Sequence, residues 1–551
     1  MKIALIQSNP VTGDLRANAL ALAKATAKAA EQGAELCVAP ELALCGHNAG
    51  DLLLQSGFVE DCRNVLHATA ESLGREGSLP PLLLGAPVAN PVPQGKKLQN
   101  CAVLLHAGKT SVIGRKVLLP SFGTHEDARY FEPGVACGVL HHKGWRLVVT
   151  LGEDVWNDRS FWQTRYLFDT DPVAEFIASG GADGLINLTA LPFEQGLPAL
   201  HRSILSWLAT HYRLPVLAAN LAGGNDSLVY YGGSLAFDGG GRLLARAPAF
   251  EEALLLVDIA SKKEGRIAAE LSTEEELWQA VVLGTRDFAR KCGFDAIALG
   301  LSGGVDSALV AAIAVEALGP DKVTGLLMPS PYSSAGSIDD SLALAKSLGI
   351  RTHTLPVTPM LQSFEQVFSA AFAGGLAGIA EENIQARIRG SLLMAYANRF
   401  NALVLNTGNK SEASVGYCTL YGDTVGGLGP IGDLYKRQVY ALCRWRNEQK
   451  PGTIPEAILT KAPSAELRPG QKDSDSLPPY EELDPLLYDI IENGHNDAEL
   501  AEIGYAPETV ARVRALMQRA EFKRHQVPPI LHLSKRGFGG GWHFPIAVRG
   551  R

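Results

Sequence analysis

The chain is predicted to be an α/β protein of two layered domains, on three observations. Its 551 residues exceed what one hydrophobic core supports, since domains run to roughly 100–200 residues. Short apolar runs of strand type alternate with helix-like stretches. That series halts at a charged stretch, Ala260-Ser261-Lys262-Lys263-Glu264-Gly265-Arg266, beyond which a second series begins.

In the first series the strand-like runs are residues 3–6, 36–39, 81–84, 102–106, 147–151, 185–188 and 216–219. Residues 18–32, rich in alanine with polar residues interspersed, predict an amphipathic surface helix. In the second series residues 296–299, 323–328, 351–355 and 402–405 read as strands, with helices of crossover length between them, including 272–291 and 308–318. The expected division is a domain over 1–262, a linker over 263–274 and a second domain over 275–551. Two loops, 372–378 rich in Gly and Ala and 462–479 rich in Pro, Ser and Asp, are candidate covers over a site.

The composition excludes several classes of function. With 46% hydrophobic and 20% charged residues the chain can bury sizeable cores. A net charge of −8 offers no basic excess to neutralise a nucleic-acid backbone. The first apolar run is four residues, short of the ~7–15 of a signal peptide, and no run nears the ~20 needed to span a bilayer. Eight scattered cysteines have neither zinc spacing nor disulfide-scaffold density, so reduced thiols and a cytoplasmic location are expected.

The segment 296–307 runs from an apolar strand into Ser302-Gly303-Gly304-Val305-Asp306-Ser307 and then a helix. Glycines let backbone N–H groups approach an anion, the helix N-terminus adds partial positive charge, and two hydroxyls add donors, a geometry suited to pyrophosphate. It lacks the Gly-Lys of a Walker A loop, and Asp306 beside phosphate implies an intervening Mg²⁺. An ordinary strand-to-helix turn is the plain alternative. These residues resemble the PP-loop of ATP pyrophosphatases, a family that cleaves ATP between the α and β phosphates, which implies a Rossmann-like parallel sheet and adenylation of a substrate oxygen.

The runs 382–389, 406–412, 416–423, 435–438 and 463–469 are similar, in order and spacing, to NAD synthetases across nearly all of residues 275–551. The resemblance implies that Ser302, Gly303, Gly304, Asp306, Ser307 and Thr407 hold ATP, and that Asp306 and Glu412 bind Mg²⁺. It implies deamido-NAD contacts for Asn383, Arg387, Glu412 and Lys523, a phosphate partner in Lys436 and a place near the reacting carboxylate for Asp423. Taken singly, Arg387 and Arg389 fit a solvated helix face, and Lys523 a charged surface run. The implied reaction makes an adenylate of the nicotinate carboxylate, expels pyrophosphate, and lets ammonia displace AMP.

The segments 39–42, 115–120 and 151–156 resemble the three catalytic segments of the nitrilase superfamily over about residues 1–260, which implies a nitrilase-like α/β sandwich. In that family a glutamate is general base, a lysine stabilises the oxyanion and a cysteine attacks the amide. Glu41 and Lys116 fill the first two places, but the position before Glu153-Asp154-Val155-Trp156 is Gly152, which has no side chain. Phe122, Leu191 and Leu197 stand where the glutamine-dependent enzymes carry Tyr, Ser and Lys, stripping polar partners from a glutamine pocket. Each buried polar group left unpaired costs ~1–3 kcal/mol. The site therefore reads as a vestigial glutaminase in which Glu41 and Lys116 form a buried ion pair. Cys45, close to Glu41 in sequence, is the one substitute nucleophile considered.

The expected partners are deamido-NAD, ATP and ammonia, with Mg²⁺ and a homo-oligomer also implied by the resemblance. The alternatives are the same synthesis with glutamine as donor through an unrecognised nucleophile, a PP-loop synthetase amidating another carboxylate, a carbon–nitrogen hydrolase, which Gly152 opposes, and a non-catalytic nucleotide sensor.

Overall fold

The computed structural model describes residues 1–75, 77, 79–162, 167–261 and 263–548. The chain forms two compact units, Met1–Leu271 and Ser272–Arg551.

In the first unit two six-stranded sheets pair face to face. One runs in the order Ala253–Asp258, Lys2–Gln7, Leu36–Val38, Leu82–Ala89, Leu98–His106, Lys109–Arg115. The other runs Leu243–Arg246, Leu235–Phe237, Val216–Asn220, Gly184–Thr189, Trp145–Leu151, Gly138–His142. The period of two along each strand builds the layers. Ile3 and Leu5 join Leu36, Val149, Leu188 and Leu217 in the inter-sheet core, while Ala4 and Ile6 pack with Leu22 and Leu66 of the helices Leu15–Glu31 and Phe58–Arg75. On the far side the helix Leu197–Tyr212 buries Ile204, Leu205 and Leu208 against Val148, Leu185 and Val216. The result is a four-layer α-β-β-α sandwich.

Residues 265–268, within the expected linker, are tied to the first unit. Gly265 donates to the Leu244 carbonyl at 2.8 Å and Ala268 to that of Arg246 at 3.0 Å. Residues 273 and 274 open the helix Thr273–Lys291, capped by Ser272, whose hydroxyl accepts from the Glu275 N–H at 3.2 Å. Residue 262 lies outside the described residues.

The second unit carries a four-stranded parallel sheet in the order Arg351–Thr354, Val323–Leu327, Ala296–Gly300, Ala402–Val404. The nearly all-apolar helix Val305–Leu318 is buried almost throughout, which explains its lack of a polar face. The strand order reverses between Ala296–Gly300 and Ala402–Val404, so the loops at their carboxyl ends flank a topological switch point, where open α/β sheets bind ligands. A helical cluster follows, in which Leu483, Leu486, Leu500, Val513 and Met517 form a separate core. Among the described residues no helix is long and apolar enough to cross a membrane.

Candidate functional site

Each unit presents a buried lysine shared among carboxylates. In the second unit the PP-loop leaves strand Ala296–Gly300 and turns at Gly303, whose φ is +75°. A Cβ there would lie 2.5 Å from the Ser337 carbonyl oxygen, so only glycine lets the turn sit against the helix Ala335–Leu348. Ser302 and Ser307 hold the turn from within. The Gly304 N–H donates to Ser302 Oγ at 3.2 Å, and Ser307 Oγ donates to the Gly304 carbonyl at 3.0 Å.

Asp306, in the first turn of its helix, and Glu412, in the first turn of helix Lys410–Val415, converge on Lys436 Nζ at 2.6 and 3.0 Å. Asn409 aligns the two. Its Oδ1 caps the helix by accepting the Glu412 N–H at 2.9 Å, and its Nδ2 donates to Asp306 Oδ1 at 2.9 Å. The Glu412 carboxyl is pushed up to about 7 by burial, with Lys436 opposing and Asp306 adding to the rise. The ammonium of Lys436 is held charged by Asp306 and Glu412 against its own burial. Asp306 and Glu412 are the carboxylates here that could hold Mg²⁺, which takes one or two carboxylates and completes its shell from water and phosphate oxygens; in this structure both face the Lys436 ammonium.

Thr407 is half-buried in the loop after strand Ala402–Val404. Beside it, Asn406 donates to the carbonyls of Asp423 at 2.6 Å and Val425 at 3.0 Å. Of the residues expected to meet the dinucleotide, Asn383, Arg387 and Lys523 converge on the segment 416–424. Asn383 accepts from Thr419 Oγ1 at 2.8 Å and Arg387 Nε donates to the Leu420 carbonyl at 3.2 Å. Lys523 Nζ donates to the carbonyls of Gly416 and Cys418 at 2.8 and 2.7 Å, so it is no loose surface charge. Nor do Arg387 and Arg389 form a solvated face, since Arg389 donates to the Met328 carbonyl at 3.0 Å. Asp423 takes the Thr419 N–H at 2.6 Å, and desolvation of its carboxyl pushes it up to about 6, although the residue as a whole is exposed.

In the first unit Glu41 follows strand Leu36–Val38, Lys116 follows Lys109–Arg115 and Gly152 follows Trp145–Leu151. Lys116 Nζ lies 2.8 Å from Glu41, 2.7 Å from Asp127 and 2.5 Å from Glu153, with its side chain fully buried. The expected ion pair is thus one ammonium among three carboxylates, because the loops after separate strands meet there. Such a cluster cannot carry three full charges in a dry interior. Burial lifts Glu41 to about 8, with Glu153 and Asp127 adding to the rise and Lys116 opposing it, whereas Lys116 and His125 hold Glu153 low against burial.

Gly152 has φ +45°, and a Cβ there would point between Glu41 Oε2 at 2.6 Å and Lys116 Nζ at 2.7 Å. The glycine therefore stands where a side chain would face both retained groups. Asp154 fastens this turn by accepting from the N–H groups of Val117, Leu118 and Leu151 at 2.9, 2.8 and 3.0 Å. Cys45 is buried, its Sγ 3.5 Å from the Gly46 carbonyl, and burial drives its thiol far up. All five cysteines of this unit, Cys37, Cys45, Cys62, Cys101 and Cys137, are buried and their thiols are raised by desolvation, the reverse of what a thiolate nucleophile needs.

Asp127 escaped the sequence reading, and Glu153 and Asn409 lay within its motifs without a role. Asn409 carried a usable signal, an N-cap residue three positions before Glu412.

Residues 277–527 match the NAD synthase family. Residues 2–147 and 167–269 match the carbon-nitrogen hydrolase family, and the interval between those stretches contains Gly152. A glutamine-dependent NAD(+) synthetase from Synechocystis sp. is 45% identical, covering 99% of this chain and 98% of that protein. One from Thermotoga maritima is 37% identical over 100% of this chain and 99% of its own length. The solved structure of a glutamine-dependent NAD+ synthetase from Acinetobacter baumannii in complex with ADP is similar at a TM-score of 0.76 and 33% identity, covering 99% of this chain and 98% of that one. Full-length similarity of this extent shows that the chain belongs to the glutamine-dependent NAD(+) synthetase family, with a carbon-nitrogen hydrolase unit ahead of an NAD synthase unit.

Proposed function

We propose that this chain amidates deamido-NAD to NAD through an adenylated nicotinate carboxylate, and that free ammonia is its nitrogen donor. Membership of the NAD synthetase family supports the amidation. The observation that carries the choice of donor is Gly152, set between Glu41 and Lys116 where a nucleophile would act, in a unit whose cysteines are all buried. The names of the relatives favour the second reading, glutamine as donor, which would require a nucleophile other than Gly152.

In the proposed reaction the N–H groups and hydroxyls of the segment 302–307, with Thr407, bind the ATP phosphates. Lys436 balances the charge that develops as pyrophosphate leaves. Mg²⁺, held by Asp306 and Glu412, would add Lewis-acid stabilisation of the same phosphates. Asn383, Arg387 and Lys523 bind the dinucleotide through the segment 416–424 that they hold in shape. Asp423, with a carboxyl near 6, is ionised at neutral pH and suited to take a proton from the attacking nitrogen.

The test is NAD formation from deamido-NAD, ATP and Mg²⁺ with either ammonium or ammonia-free glutamine. Activity with ammonium alone is expected. Comparable rates with glutamine would overturn ammonia as the donor, and no NAD with either source would overturn the amidation.

A further inference from the structure

Asn409, Lys410 and Ser411 are consecutive polar residues with no exposed surface, a costly placement unless their donors and acceptors are paired. Two of them root the segment. Lys410 Nζ lies 2.8 Å from Asp433 and 2.5 Å from Glu492, and donates to Ser534 Oγ at 2.7 Å. Ser411 Oγ donates to Asp484 at 2.5 Å and accepts the Lys436 N–H at 2.9 Å. The Lys410 N–H donates to the Leu434 carbonyl at 2.8 Å. The backbone that carries Asn409 is therefore fixed from several distant parts of the chain.

Asn409 reaches Asp306 and the Glu412 backbone instead. With Nδ2 on Asp306 Oδ1 and Oδ1 on the Glu412 N–H, both at 2.9 Å, each contact of the amide is donor to acceptor. The flipped amide would set N–H against N–H and oxygen against carboxylate, so its orientation is decided. The two oxygens of Asp306 are thereby divided. Oδ1 is held by Asn409, and Oδ2 faces the Lys436 ammonium at 2.6 Å. The same amide caps the first turn of helix Lys410–Val415, which sets the backbone from which Glu412 reaches Lys436 Nζ at 3.0 Å. One buried side chain orients both carboxylates without itself reaching solvent.

We propose that Asn409 is a positioning residue that sets the affinity of the Asp306 and Glu412 pair for a divalent cation. The inference rests on the reading of these two carboxylates as Mg²⁺ ligands. A carboxylate free to turn must be ordered when the ion arrives, and the entropy lost then weakens binding. Asn409 orders it beforehand. Lys436 does not substitute for it, since its ammonium touches Oδ2 of Asp306, whereas Asn409 holds the other oxygen. Outer partners of this kind are typically worth about 10- to 100-fold in metal affinity.

The test is Mn²⁺ binding to the full chain, followed by loss of the free-ion electron paramagnetic resonance signal. It is run with the α,β-methylene analogue of ATP and corrected for the ion that the analogue holds alone. Asn409→Ser keeps a hydroxyl that can cap the helix but is too short to reach Asp306 as well. It is expected to weaken Mn²⁺ binding about tenfold or more, with the thermal midpoint close to wild type and the metal-free affinity for the analogue unchanged. In steady-state NAD formation its KM for Mg²⁺ should rise by a similar factor, while kcat falls far less. Asn409→Ala, which loses the cap as well, should weaken Mn²⁺ at least as much and lower the midpoint. Wild-type Mn²⁺ affinity in Asn409→Ser overturns the positioning role. An equal loss of metal-free analogue binding overturns it too, because the defect would then be a general one of the fold. Mn²⁺ binding that survives Asp306→Ala and Glu412→Ala together overturns the metal reading beneath it. Failure of wild type to make NAD overturns the amidation instead and leaves the Mn²⁺ comparison standing.

Discussion

The two lysine clusters are built from the same groups and end in opposite states. Lys116 is enclosed by Glu41, Asp127 and Glu153, and with Gly152 in place Glu41 and Lys116 occupy the ground that a side chain would need. Lys436 is shared by Asp306 and Glu412, whose side chains remain 18% and 19% exposed. In the first cluster one ammonium is shared by three carboxylates, and the neighbouring Gly152 has no side chain. In the second, Asp306 and Glu412 share Lys436 and both carboxylates keep part of their surface exposed.

This contrast makes unequal predictions for the two clusters. Asp306→Ala should cut ammonium-dependent NAD formation on the order of 10²–10³-fold with the fold retained, as measured by steady-state kinetics and circular dichroism. An unchanged rate would make the two clusters equivalent. Lys116→Met should destabilise the first unit by ~3–5 kcal/mol in denaturant titrations, because three carboxylates lose their buried cation, yet leave the ammonium-dependent rate unchanged. With Asp423 near 6, the ammonium-dependent rate, referred to free ammonia, should fall about tenfold per pH unit below that value, and Asp423→Asn should remove the limb.

Glu41 supplies a subtler signature. Its carboxyl is raised in the fold from ~4.3 to about 8, so within that window the folded state holds a proton that the unfolded state has lost. Stability should be fullest below the unfolded value and decline as pH rises toward 8, and Glu41→Gln should flatten that slope in pH-dependent unfolding. The smallest effect is expected from Gly152→Cys. The new Cβ meets Glu41 and Lys116, and Phe122, Leu191 and Leu197 are untouched, so no glutamine-dependent activity should appear in the paired nitrogen-source assay.

The central strands were legible because they are apolar on both faces, as in Lys2–Gln7 and Gly184–Thr189. The strand Lys109–Arg115 was not, being an edge strand with exposed Lys109, Ser111 and Val112 that breaks the apolar run. The short antiparallel pair Ala222–Asn225 and Leu228–Tyr231 was missed too, since its first strand holds two glycines and an asparagine. Among site residues, Ser302 to Ser307 were readable as one contiguous run, whereas the link from Asp306 to Lys436 spans 130 positions and the link from Lys116 to Glu41 spans 75.

The sequence by itself determined the chemical inventory: a glycine-rich turn with Asp306, the downstream Glu412 and Lys436, and a glycine at position 152 that no fold can turn into a nucleophile. Only the tertiary structure decided how those groups are shared. It set Asp127 and Glu153 on Lys116, Asn409 between Asp306 and Glu412, and Asn383, Arg387 and Lys523 on the segment 416–424. The physical reason is that hydrogen bonds and ion pairs act over about 3 Å, and strand order rather than spacing along the chain brings separate loops within that reach.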